Sequence, residues 1–277
     1  MLFIHSILLA FLALPLGLSA PSSPHALHSL SDLRSRAASS QAQSATSTSA
    51  GSAAAAAVPT TLASIQSADF KSLLSSEKIP QNCPINKTLT VPLSAAAGGT
   101  LAVPAGQAVS MITVGRGVQN YTCTNGTYVS AGALANLFDV SCLFSLTAKS
   151  VNPAKLSELL PKLAFKASLF SDAGKLPIAI NHLFVATPNS ATPGISPEFA
   201  LSSGSDQIIV SKLGASPAPS DPGVNVPWLQ LTAIEGQGTL AKSVFRVDTV
   251  NGQPPSSCTT EGESLSVNYA SMYWFTK

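Results

Sequence analysis

Between Phe138 and Thr147 the chain reads FDVSCLFSLT. Phe138, Val140, Cys142, Phe144 and Leu146 take every second position, with Asp139, Ser141, Ser145 and Thr147 between them; Leu143 breaks the alternation. A period of two is that of a half-buried strand, because successive side chains of a pleated chain point to opposite faces. The pattern predicts a strand over 138–147 with Cys142 aimed inward. AVSMITV and VQNYTC read as two more strands, separated by Gly115-Arg116-Gly117. Glycine inside a strand pattern predicts a bulge or a close backbone approach. NHLFVAT, DQIIVSKL, WLQLTAI, SVFRVDTV and LSVNYASMYWF add five strands, and in the last Leu265, Val267, Tyr269, Tyr273 and Phe275 share a face.

One insert is helical in pattern. NPAKLSELLPKLA offers Asn152 as N-cap and Pro153 at the first helical position, with Pro161 set to end or kink the helix. PNSATPGISPEF and GASPAPSDPGVNVP read as loops. Many short strands joined by turn-rich connections predict a mainly β domain over residues 82–277, an antiparallel β-sandwich or small β-barrel with one or two short helices.

The chain before this domain has a different texture. It opens MLFIHSILLAFLALPLGLSAPSSPHA, with an apolar run from Ile7 to Leu16 followed by Gly17 and Ser19. That run is too short to cross a bilayer, which takes about 20 residues. The small residues fit a cleavage site after Ser19, so residues 1–19 are expected to be a secretory signal peptide. Residues 20–60 include a stretch, Ala37 to Ala57, in which 16 of 21 residues are Ala or Ser. Such a composition cannot bury a core and predicts a disordered linker. Leu62, Ile65, Phe70, Leu73 and Leu74 then recur at roughly helical spacing, predicting a short helical lead-in over 61–81. The expected product is secreted and extracellular, without a membrane segment once the signal is removed.

Charge narrows the partners. Charged residues make up 10% of the chain and the net charge is +2, against about 25% charged residues in typical soluble domains. A nucleic-acid binder needs clustered Lys and Arg to neutralise phosphates, so that class is excluded. The four cysteines, Cys83, Cys123, Cys142 and Cys258, form no C-x-x-C pair. In an oxidising compartment they predict two disulfides with three possible connectivities. Cys123 and Cys142 flank an Asn-Gly-Thr turn on neighbouring predicted strands, which favours Cys123–Cys142 and leaves Cys83–Cys258. Three sequons begin at Asn86, Asn120 and Asn125, and Asn125 lies in that turn. An exposed turn makes Asn125 the first choice for a glycan.

The blocks AVSMITVGRGVQNYTC, PWLQL, GTLAKSVFRVDTVNGQPPSSC and VNYASMYWF, in this order, resemble a family of secreted fungal and bacterial proteins classed as domain of unknown function 3455. The resemblance runs from about Cys83 to Phe275 and implies no established activity. Many fungal members carry the label malate dehydrogenase, and the residues do not support that chemistry. GRGVQN lacks the third glycine of a dinucleotide loop, and GQGTLA runs into a strand instead of a helix. Neither offers a helix N-terminus to a pyrophosphate. No cofactor is expected.

His182 is the single histidine of the predicted domain and the one weak catalytic candidate; no G-x-S-x-G elbow accompanies it. The histidine pair His25 and His28 has no further ligands beside it, and no metal is expected. Asp139 and Asp248 lie on polar faces of predicted strands, where a facing carboxyl pair would suit glycoside hydrolysis. Arg116, Gln119 and Tyr121 surround the glycine kink, and Trp228 follows a Pro-rich loop. With His182 these are the candidate ligand-binding residues, for a cell-wall polysaccharide or a small ligand. The sequence therefore favours a non-enzymatic exported protein, with an unrecognised extracellular hydrolase or oxidoreductase as the alternative.

Overall fold

A computed structural model describes residues 83–96, 100–166 and 177–277. The predicted signal peptide, linker and helical lead-in lie outside the described residues. Eight strands run β1 (Val109–Thr124), β2 (Thr127–Asp139), β3 (Ile180–Ala186), β4 (Ile195–Leu201), β5 (Gln207–Ser216), β6 (Trp228–Gly238), β7 (Ser243–Asn251) and β8 (Ser264–Thr276). Each pairs antiparallel with the next, and β8 returns to β1, so the sheet closes as an up-and-down barrel. Of the two architectures expected from sequence, the barrel is the one formed. Closure leaves no end strands in the sheet order, which removes the edge hazard of an open sheet.

Two cores hold the barrel. The inner one is filled by Leu137, Ile180, Phe199, Val210, Val244, Tyr269, Tyr273 and Phe275. The outer one lies where helices α1 (Ser141–Thr147) and α2 (Pro153–Lys166) cover the sheet, and includes Ile112, Val114, Leu143, Phe144, Leu156, Leu160, Val247, Met272 and Trp274. β8 is consequently buried on both faces from Tyr269 to Thr276, which explains its run of large apolar residues.

The strand expected over 138–147 is corrected. β2 ends at Asp139, whose Oδ1 accepts the Ser141 N–H at 2.8 Å and opens α1. Val140, Leu143, Phe144 and Thr147 are all buried, at spacing i, i+3, i+4, i+7, while Leu146 is half exposed. The apparent break at Leu143 is thus the helical register itself. The loop expected over 188–199 is also partly strand, since β4 begins at Ile195 and accommodates Pro197.

The disulfides are corrected with it. They join Cys83 to Cys142 and Cys123 to Cys258, with Cα separations of 5.1 and 5.9 Å. Cys142 belongs to α1, outside the barrel, where it meets the segment entering the domain. Cys123 sits near the tip of the β1–β2 hairpin, beside the loop leading to β8. There the Cys258 N–H donates to the Gly126 carbonyl at 3.0 Å and the Cys123 N–H to the Glu263 carbonyl at 2.8 Å.

No bulge marks Gly115-Arg116-Gly117; β1 runs through it, and its register with β2 shifts at Asn120/Tyr121 instead. The glycines answer to crowding inside the barrel. A Cβ on Gly115 would stand 2.8 Å from the Tyr273 ring, and one on Gly117 would stand 1.8 Å from the Leu134 carbonyl oxygen. Gly115→Ala is expected to cost about 2 kcal/mol by overpacking, read as a lowered denaturation midpoint. A loss below about 0.5 kcal/mol would show that the Tyr273 ring yields freely.

Candidate functional site

The five residues singled out as ligand-binding candidates do not form one site. Gln119, Tyr121 and His182 belong to the buried polar lattice of the barrel interior. Tyr121 Oη donates to the Gly252 carbonyl at 2.7 Å, and the Tyr269 and Tyr273 hydroxyls meet at 2.7 Å. Arg246 Nη2 donates to the Pro227 carbonyl at 2.9 Å. The His182 ring stacks on Phe199 at 4.2 Å, and its Nδ1 lies 2.9 Å from the Glu198 carbonyl. Burial pushes its pKa down to about 4. Its ring is thus a neutral packing element tied to the backbone, and among the described residues no hydrogen bond joins it to the acid and hydroxyl a catalytic histidine needs. Arg116 points outward, donating from Nη1 to the Ala164 carbonyl of α2 at 3.4 Å, and burial lowers its pKa. It and His182 border a groove of about 480 Å³ where β2 and β3 separate.

Trp228 belongs to a different place, a cleft of about 400 Å³ between α2 and β7. Trp228 is mostly packed in the outer core and gives the cleft part of its apolar wall. The opposite side carries Lys155, Glu158 and Lys162 of α2, which helical spacing sets on one face. Pro92, Ser94 and Ala95 close one end and Ser220 another.

Asp248 lies at the bottom of this cleft through a defect in β7. The register against β8 slips between Val247 and Val250, so Asp248 and Thr249 together oppose Ser271. Asp248 takes φ of 50°, a left-handed conformation usual for glycine at such a bulge. The bulge turns the carboxyl out of the strand alternation and toward α2. There Oδ2 accepts the Ser157 hydroxyl at 2.5 Å. Burial dominates its electrostatics and raises its pKa to about 6, with Glu158 pushing the same way and the Ser157 hydrogen bond opposing. Glu158 is in the reverse situation. Its Oε1 meets Lys162 Nζ at 2.7 Å and its Oε2 meets Lys155 Nζ at 3.2 Å, and these contacts lower its pKa.

A model of the family described as "Protein of unknown function (DUF3455)" matches residues 104–277. The chain belongs to this family. No curated protein and no solved structure matches it. In this DUF3455 protein the matched span includes α2 and β7, whereas the Pro92–Ala95 end of the cleft precedes it.

The carboxyl pair considered from sequence, Asp139 with Asp248, is thus not the pair present. Asp139 is spent on the start of α1, and the neighbour of Asp248 is Glu158. Glu158 was legible only as one polar residue of a helix; its Lys-x-x-Glu-x-x-x-Lys spacing was the available signal. Of the sequons, Asn125 occupies the exposed hairpin turn with φ of 52°, followed by Gly126 at 77°. Asn120 Oδ1 accepts the Ser266 hydroxyl at 2.7 Å, and Asn86 Oδ1 accepts the Thr88 N–H at 3.0 Å.

Proposed function

We propose that this protein is exported and binds a carbohydrate or similar small polyhydroxylated ligand in the cleft between α2 and β7. The observation that carries this reading is the mixed lining of the cleft. Apolar groups of Pro92, Ala95, Pro219, Val250 and the edge of Trp228 share the cleft with hydrogen-bonding groups at Asp248, Glu158 and Ser220, the combination that suits a sugar ring with its apolar faces and hydroxyl edges. Export is supported by the two disulfides and the leader-like start of the chain. Asn125, in its exposed turn, is the favoured glycan site. Among the described residues no helix is long and apolar enough to cross a membrane.

Titration calorimetry with laminarihexaose, cellohexaose, chitohexaose and mannohexaose tests the reading. At least one is expected to bind with a dissociation constant below about 1 mM, about 4 kcal/mol of affinity. Ala154→Arg, an exposed helix position on the cleft wall, is expected to weaken that binding at least about tenfold without changing the fold. Absence of binding to all four oligosaccharides would reject the reading.

A further inference from the structure

Three features of the cleft exceed what passive binding requires. The first is backbone strain at Asp248, a non-glycine residue with φ of 50° inside a strand. Such conformations cost of order 1–3 kcal/mol and cluster at functional sites. The second is restraint of the carboxyl. The wholly buried Ser157 hydroxyl holds Oδ2. Among the described residues no other group hydrogen-bonds the carboxyl, so Oδ1 is left for the cleft. The third is the second carboxylate, Glu158, lining the same cleft from α2 and kept ionised by Lys155 and Lys162.

We propose that the cleft is a hydrolytic active centre for glycosidic bonds, with Asp248 as the general acid and Glu158 as the general base. The proposal rests on the reading that the cleft holds a sugar. Two carboxyls with opposed environments are the minimal equipment for acetal hydrolysis, whose transition state is a cation that a carboxylate stabilises. Acyl transfer fits the cleft less well, since among the described residues its lining includes no histidine or cysteine to act as base or nucleophile. Phosphoryl transfer fits less well too, because both lysines are engaged by Glu158.

The step balances with water as the only co-reactant. As the bond from the anomeric carbon to the bridging oxygen breaks, the Asp248 O–H gives its proton to that oxygen, and the leaving sugar departs as an alcohol. Water forms the new bond to the anomeric carbon and gives a proton to the Glu158 carboxylate, producing a hemiacetal. Solvent then takes the proton from Glu158 and returns one to Asp248. Nothing is oxidised or reduced.

The groups facing Asp248 are few. α2 contributes Ser157, Glu158 and Lys162, with Lys155 further along the same wall, and among the described residues the other walls carry no ionisable group. The raised pKa of Asp248 keeps its proton available in mildly acidic medium, while the lowered pKa of Glu158 keeps it a carboxylate there. The rate should therefore fall as pH rises through about 6 and fall again in strong acid.

The test measures both binding and release of reducing ends from the same four hexasaccharides, for the wild type, Asp248→Asn and Glu158→Gln, each checked for fold by circular dichroism. The wild type is expected to hydrolyse at least one bound oligosaccharide with that pH profile. Asp248→Asn is expected to lose at least about 100-fold in rate at saturating oligosaccharide, a loss beyond whatever it costs in binding. Binding without hydrolysis by the wild type would overturn the hydrolytic assignment and leave the binding reading standing. Hydrolysis that survives in Asp248→Asn, or that lacks the alkaline limb, would overturn the role of Asp248. Absence of both binding and hydrolysis would sink both readings.

Discussion

Removing the Cys123–Cys258 bridge by a double substitution to alanine is expected to lower the stability of the domain by about 5 kcal/mol. The estimate follows from the loop it closes. With a sequence separation of 135, the crosslink removes more chain entropy from the unfolded state than the Cys83–Cys142 bridge, whose separation is 59 and which is worth about 4 kcal/mol. Its position adds a structural reason. The last strand must find the first to close the barrel, a pairing between chain ends about 150 residues apart in sequence. Cys258 lies in the loop just before β8 and Cys123 at the far end of β1, so the bridge holds the two strands at one end of their seam. Since domains of this kind have total stabilities of about 5–15 kcal/mol, the variant should sit near the edge of folding. Guanidinium unfolding of the reduced-cysteine variants checks this. A loss below about 1 kcal/mol for the Cys123/Cys258 pair would mean that the seam is already held in the unfolded chain. The larger loss falling on Cys83/Cys142 would mean that loop length does not set the order.

The features legible in the sequence are those whose signal is local. α2 starts where Asn152 and Pro153 place it, with Asn152 Oδ1 accepting the Ala154 N–H at 2.9 Å. The inward face of β8 is the predicted one from Tyr269 to Phe275, because alternation survives even when both faces are buried. β2 was not legible. Its SAGALAN stretch, from Ser130 to Asn136, lacks β-branched and aromatic residues, and at Gly132 a neighbour leaves no room for a side chain. A Cβ on Gly132 would lie 3.0 Å from the Phe184 ring. The disulfide pairing departs from the expected one for a specific reason. A strand over 138–147 would put Cys142 opposite Cys123, whereas the helical turn after Asp139 carries it to the outside. The cleft was illegible for a deeper one. Asp248 and Glu158 lie 90 positions apart, and only the packing of α2 over a bulged β7 brings them to one cleft. No periodicity encodes a helix crossing a strand.

Asp248 also makes a prediction that does not depend on any ligand. Its pKa is raised from 3.8 to about 6, chiefly by burial. The folded state therefore holds the proton more tightly than the unfolded chain does. Stability from this group is complete below pH 3.8, declines as pH rises toward about 6, and is absent above that. A shift of this size corresponds to about 3 kcal/mol. Asp248→Asn keeps the Ser157 hydrogen bond, tolerates a positive φ, and cannot ionise. The variant should match the wild type in stability near pH 3.5 and exceed it by about 3 kcal/mol at pH 8, a melting-temperature gain of roughly 6–12 °C for a domain of this size. Equal pH profiles for the two proteins would mean that the carboxyl is solvated in the native state and titrates near its ordinary value. A stability gain confined to neutral and alkaline pH would identify an ionised, partly buried carboxylate that the fold tolerates at a cost. Together with the strained backbone at the same residue, that is the signature of a group retained for its chemistry and not for the fold.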